Sequence, residues 1–184
     1  KLKWKFDPIE QSDFKKKWKS RIGINPIYSD GVIYFVSANW ELNAVKADTG
    51  KLIWSKEFVS EIGRRGILID NSFLYVNSGK NLFKIDAKDG KLDFNFGNGG
   101  FVNVGKSQVA PVIYKKIIIV PNVKAQIIGV NSETGNIIFK NKIHQDYNFN
   151  FYSVPWGGAA LDEHNKIYYV CIDDKKIKVP SFIT

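Results

Sequence analysis

Ala47-Asp48-Thr49-Gly50-Lys51-Leu52-Ile53-Trp54 returns, altered but in step, as Ala87-Lys88-Asp89-Gly90-Lys91-Leu92-Asp93-Phe94 and as Ser132-Glu133-Thr134-Gly135-Asn136-Ile137-Ile138-Phe139. Asp or Thr ahead of a Gly suits a tight turn that needs positive φ. The apolar pair two and four positions after each Gly, with an aromatic second, reads as a strand with one buried face. Working outward, apolar residues stand eight and five positions before the Gly: Leu42 and Val45, Leu82 and Ile85, Ile127 and Val130. Residues three apart fall on opposite faces of an ideal strand, so both faces are partly covered or a bulge intervenes. Further back lie a short apolar segment (Pro26-Ile27-Tyr28, Gly66-Ile67-Leu68, Pro111-Val112-Ile113), a turn, and a β-branched or aromatic run (Val32 to Val36, Ser72 to Val76, Ile117 to Val120). Aligned on the glycines, residues 26–54, 66–94 and 111–139 superpose without a gap, at periods of 40 and 45 residues.

Four short antiparallel strands per period, closed by an aromatic, predict an all-β chain of β-propeller blades. The expected blades are 24–56, 64–96 and 108–141. Residues 1–6 match the last strand of a preceding blade, and 156–179 the start of a further one. Two arrangements fit: an open arc of a larger ring, or a four-bladed ring closed by the amino-terminal strand. The absence of Met and of a signal-like start suggests that the chain begins inside a longer protein.

The 184 residues are 44% hydrophobic, enough for a sizeable core, and no run nears the roughly 20 apolar residues of a membrane-spanning helix. The net charge of +9 comes from 27 basic residues of which only Arg21, Arg64 and Arg65 are Arg. Scattered lysines at turns and strand edges discourage edge pairing and argue against a nucleic-acid binder. The run Lys15-Lys16-Lys17-Trp18-Lys19 reads as a solvated connector. Cys171 has no partner for a disulfide, and His144 and His164 lack zinc-like spacing. No phosphate loop, dinucleotide fingerprint or catalytic triad is present.

The Ala-x-Thr-Gly-Lys-Leu-x-Trp pattern of residues 47–54 resembles the tryptophan-docking repeat of the quinoprotein propellers. These include the pyrroloquinoline quinone (PQQ) dependent alcohol and glucose dehydrogenases, and non-catalytic members such as the assembly lipoprotein BamB. Three segments resemble the dehydrogenases. Arg64-Arg65-Gly66 is similar to an Asn-Arg-Gly motif, which implies that Arg65, on an inner strand, contacts the quinone. Phe96-Gly97-Asn98-Gly99-Gly100-Phe101-Val102 resembles a connector of that family, and Ser107-Gln108-Val109-Ala110-Pro111 stands where cofactor-contacting hydroxyls are found, which implies Ser107 and Gln108. Trp156, with Asp162 and Ile167-Tyr168-Tyr169-Val170 after it, resembles the segment whose indole stacks on the quinone; Asp174 falls near a calcium ligand.

The departures are equally specific. The vicinal cysteine pair is missing, Pro121-Asn122-Val123-Lys124-Ala125-Gln126 stands in place of the calcium-binding Glu loop without a carboxylate, and the general-base Asp would lie beyond Thr184. Two functions follow from the resemblance. One is a fragment of a PQQ- and Ca²⁺-dependent dehydrogenase oxidising an alcohol or sugar by hydride transfer. The alternative is a non-catalytic propeller that binds protein partners. Either implies the periplasm or cell envelope. Trp4, Trp54, Phe94 and Phe139 are expected to be buried between blades.

Overall fold

The computed structural model describes residues 2–7, 24–37, 39–124 and 126–142, together with the backbone of 160–162, 167–172 and 175–179. The first sheet runs β1 (Ile27–Ser29), β2 (Val32–Val36), β3 (Glu41–Lys46) and β4 (Leu52–Glu57), hydrogen-bonded in chain order and antiparallel throughout. The second repeats this order with β5 (Leu68–Asp70), β6 (Phe73–Ser78), β7 (Asn81–Asp86) and β8 (Phe101–Asn103). The third is built of β9 (Val112–Tyr114), β10 (Ile117–Pro121), β11 (Gln126–Asn131) and β12 (Ile137–Lys142). Strands β13 (Ala160–Asp162), β14 (Ile167–Ile172) and β15 (Lys175–Val179) form a further antiparallel sheet. These are propeller blades, and no helix among the described residues is long and apolar enough to cross a membrane.

The core lies between blades. Tyr34, Leu42, Ala44 and Trp54 of the first blade pack against Leu74, Val76 and Ile85 of the second. The opposite face of the second blade, Tyr75 and Leu82, packs with Ile118, Val120, Ile128 and Val130 of the third. Leu82 and Ile85 thus serve different cores, which is why their odd spacing works. Bulges occur as well. Pairing steps from Ala44–Trp54 to Val45–Leu52 and from Gly129–Phe139 to Val130–Ile137, leaving Ile53 and Ile138 as the extra, outward-facing residues.

Each turn after the third strand needs its glycine twice over. Gly50 and Gly90 have φ of 69° and 73°, and a Cβ on either would run into an indole, that of Trp4 or Trp54. Trp4 Nε1 donates to Ala47 O and Trp54 Nε1 to Ala87 O, both at 2.9 Å. The aromatic of one repeat therefore docks on the glycine turn of the next.

Two corrections to the repeat follow from the register. Phe73 pairs with Asp86 as Val32 pairs with Lys46, so Tyr75 and not Leu74 answers Tyr34. Gapless superposition is one residue out here because a tight Gly79-Lys80 turn joins β6 to β7, where the first blade uses a longer link between Val36 and Leu42. Both tyrosines do the same work: Tyr34 OH donates to Ala87 O at 3.3 Å and Tyr75 OH to Ser132 O at 3.1 Å. Burial first, then the Asp70 charge, pushes the Tyr75 phenol up to about 12, so it remains a donor. Tyr75→Phe is expected to cost about 1 kcal/mol, measured by urea denaturation.

The second correction concerns Phe94. After Gly90 the chain holds to the sheet by a single bridge, Leu92 opposite Ile85, and leaves it after Asp93, whose amide donates to Lys84 O at 3.0 Å. The Asp93 carboxylate lies 2.9 Å from Lys84 Nζ and accepts the Asn95 amide at 3.1 Å, turning the chain outward. Phe94 is 73% exposed, while Phe96 is fully buried in its stead. Gly97, Gly99 and Gly100, all at positive φ, bring the chain back so that Phe101–Asn103 supplies the outer strand. Main chain replaces the expected aromatic over the third turn: Gly97 N donates to Thr134 O at 2.8 Å, directly above Gly135.

Candidate functional site

In a four-stranded antiparallel blade the links from one blade to the next and the turns between second and third strands emerge at the same end. Here they interlock. Phe58 N donates to Trp40 O, Gly79 N to Glu61 O, Gly63 N to Asn77 O, Val104 N to Lys80 O and Val123 N to Lys106 O, at 2.8–3.0 Å. Residues 58–67 and 104–111, the two links, thus form one connector face with the described residues of the turns, 37 and 39–41, 79–80, and 122–124 and 126.

The residues assigned by resemblance to a quinone site partly converge on this face. Arg65 lies ahead of β5 rather than on an inner strand, and forms an isolated parallel bridge with Val109, its amide donating to Gln108 O at 3.0 Å. Gln108 Oε1 accepts the Arg64 amide at 3.3 Å. Ser107 is buried, 4% exposed, and its hydroxyl donates inward to Val109 O at 3.4 Å. Trp156 and Asp174 lie outside the described residues.

The described residues do not fit the calcium that the dehydrogenase resemblance implies. Among them no three His, Cys, Asp or Glu side chains are grouped to hold a metal, and a hard cation wants several oxygen ligands. Between β10 and β11, Asn122 Oδ1 accepts the amides of Lys124 and Gln126 at 2.9 and 3.2 Å, while its Nδ2 donates to Val104 O at 2.9 Å. That side chain is consumed in closing its own turn. Of the three residues that the resemblance assigns to the quinone, Arg65 is exposed, Gln108 half-buried and Ser107 buried with its hydroxyl engaged by Val109 O.

A different feature of the same face is a groove of about 620 Å³, lined by Trp40, Val59, Glu61, Lys80, Asn103 and Lys106 among others. Val59 is 97% exposed. Trp40 sits at φ 65°, a left-handed conformation costing roughly 1–2 kcal/mol for a side chain of this size. The interlocked backbone holds it there, since Trp40 N donates to Ser37 O and Trp40 O accepts from Phe58. Asp30, Asn71 and Lys115 also have positive φ, but in hairpin turns at the opposite end of the blades. Arg64 Nε lies 2.7 Å from Glu61 Oε1 and Lys106 Nζ 4.0 Å from Glu61 Oε2. Sequence reasoning missed the groove because its residues belong to the variable links rather than to the repeat; the signal available was the departure of Trp40 and Val59, both apolar, from the strand pattern.

Comparison with known proteins adds the following. Residues 2–152 match the family described as outer membrane protein assembly factor BamB. The BamB of Moranella endobia (strain PCIT) is 24% identical over 119 residues, covering 64% of this chain and 29% of that protein. Among solved structures, BamB from Moraxella catarrhalis superposes with a TM-score of 0.64 at 15% identity, over 83% of this chain and 44% of the other. The quinohemoprotein alcohol dehydrogenase ADHIIG from Pseudomonas putida HK5 gives 0.66 at 16% identity, over 86% and 29%. The structural likenesses establish the propeller fold alone. The chain spans 29–32% of the length of the curated relatives it matches. With indoles docked on the glycine turns of the first two blades and the match extending over most of its length, the chain belongs to the BamB family of propellers.

Proposed function

We propose that this chain is part of a non-catalytic envelope propeller whose connector face docks other polypeptides, in the assembly role that the names of its relatives give them. The observation that carries this reading is the character of that face: the Ser107 hydroxyl is taken up by Val109 O of its own link, whereas Val59, Lys80 and Lys106 line an open groove. An exposed valine beside a strained Trp and flexible cations suits a protein ligand better than a buried planar ring.

Photo-crosslinking in the full-length protein tests it. A photoreactive residue at Val59 is expected to give discrete protein adducts in cells, and one at Asp48, on a turn at the opposite end of the blades, is expected to give none. Equal yields from the two positions would overturn the proposal.

The second reading, a PQQ-dependent dehydrogenase acting on an alcohol or sugar, draws support from the juxtaposition of Arg65 and Gln108 across neighbouring links. Titration of the full-length protein with PQQ, with and without Ca²⁺, separates the two. No saturable quenching of tryptophan fluorescence is expected; saturable quenching weakened about tenfold by Arg65→Ala would favour the dehydrogenase.

A further inference from the structure

Lysines that look scattered along the sequence are not evenly divided between the two ends of the blades. The connectors and turns around the groove carry Arg64, Arg65, Lys80, Lys106 and Lys124 against Glu61, and at the adjoining strand ends Lys56 offsets Glu57 while Lys142 adds a further cation. Glu41, also at this end, is buried and accepts the Ser37 hydroxyl at 3.1 Å. At the opposite end charge is balanced: Lys91 pairs with Asp89 and Lys116 with Glu133, each at 2.7 Å, and Asp30, Asp48, Asp70 and Asp86 stand against the remaining lysines. Among the described residues the positive excess therefore gathers at the end that holds the groove.

We infer that the groove between Trp40, Val59, Lys80 and Lys106 binds an acidic polypeptide segment with an apolar side chain among its carboxylates. The apolar side chain would lie against the exposed Val59 and the half-buried Trp40, and the carboxylates would meet Lys80 and Lys106. Glu61 already shows the chemistry in miniature, since a carboxylate of the chain itself is held between Arg64 and Lys106. It also competes, because it neutralises cations that a partner would otherwise engage. An acidic peptide is favoured over nucleic acid because the cations lining the groove are lysines, the described lining residues include one aromatic, Trp40, rather than a row of them, and the Glu61 carboxylate among them would repel phosphate. The inference rests on the reading of this face as a docking surface and names what it docks.

The test is fluorescence anisotropy on the full-length protein with three probes: a labelled peptide in which Asp and Glu flank a central Phe, the same peptide with Lys in place of the acids, and single-stranded oligothymidylate. The acidic peptide is expected to bind saturably and more weakly as salt rises. Joint Lys80→Glu and Lys106→Glu substitution is expected to weaken it at least tenfold, Glu61→Gln to tighten it several-fold, and joint Lys51→Glu and Lys88→Glu, at the opposite end, to leave it unchanged. Equal losses from the two charge-reversed pairs would overturn the inference, as would tighter binding of oligothymidylate than of the acidic peptide. If Val59 crosslinks to a protein partner while the acidic peptide fails to bind, this inference falls and the docking reading stands. If neither signal appears, both fall.

Discussion

Trp54→Ala is expected to destabilise the protein by about 3–5 kcal/mol, the range for truncating a large buried aromatic. The indole is 9% exposed, fills the space above Gly90, donates to Ala87 O at 2.9 Å and lies 6.0 Å from the Tyr34 ring centre. Removing it opens a cavity in the core shared by the first and second blades and leaves a carbonyl short of a donor. Phe94→Ala is the control, because repeat alignment makes the two positions equivalent. Phe94 is 73% exposed, so its loss should stay within about 0.5 kcal/mol. Urea denaturation of both variants distinguishes the observed path of the second blade from the one implied by the repeat, under which the two losses would be similar.

Asp93→Ala should be comparably damaging, about 3–5 kcal/mol, for a different reason. Lys84 is 6% exposed, its ammonium lies 2.9 Å from Asp93 and 4.1 Å from the centre of the Phe73 ring, and without the carboxylate a buried cation loses its counter-charge. The joint substitution Lys84→Met and Asp93→Leu is expected to recover most of the loss, since an apolar pair of similar size carries no desolvation cost. A double variant as unstable as Asp93→Ala alone would show that the loop at 93–100 depends on something other than charge pairing. The hydrogen bond from Lys84, ahead of that from the Asn95 amide, holds the Asp93 carboxyl below the usual aspartate value of 3.8. A carboxyl with a lowered pKa in the folded state contributes its full stability above the ordinary value and loses it as pH falls below that value. Stability should therefore decline below about pH 4, and Asp93→Asn should flatten that decline.

The blade pattern was legible because it depends on a few short-range rules: a glycine where φ must be positive, an apolar residue at every second place, an aromatic at a fixed distance. Those rules located the turns at Gly50, Gly90 and Gly135 and the alternating cores. They failed at Asp93, where a single carboxylate in the place of Ile53 and Ile138 finds a buried lysine on the neighbouring strand, a contact that periodicity does not contain. They failed again at the β6–β7 turn, since a gapless alignment is blind to a residue lost in one link and regained in another. At the candidate site, the resemblance brought Arg65, Ser107 and Gln108 to neighbouring links but not the direction of the Ser107 hydroxyl, which depends on the local backbone. The groove was out of reach for a simpler reason: Trp40, Val59, Lys80 and Lys106 come from four separate connections and meet only once the blades are stacked.

The substitution of main chain for an indole above Gly135 bears on how this propeller can be recombined. A blade placed after β4 meets it through elements of the repeat itself, a glycine turn that accepts Trp54 and Tyr34 and an apolar face for the shared core, so repeats that keep those elements should be interchangeable there. A blade placed after β8 must instead offer a carbonyl where Thr134 offers one to Gly97, at the height set by a glycine-rich loop anchored through Lys84 and Asp93. The second and third blades are therefore a matched set, to be inherited or engineered as a unit, and exchange of either alone should yield chains that fold up to β8 and no further.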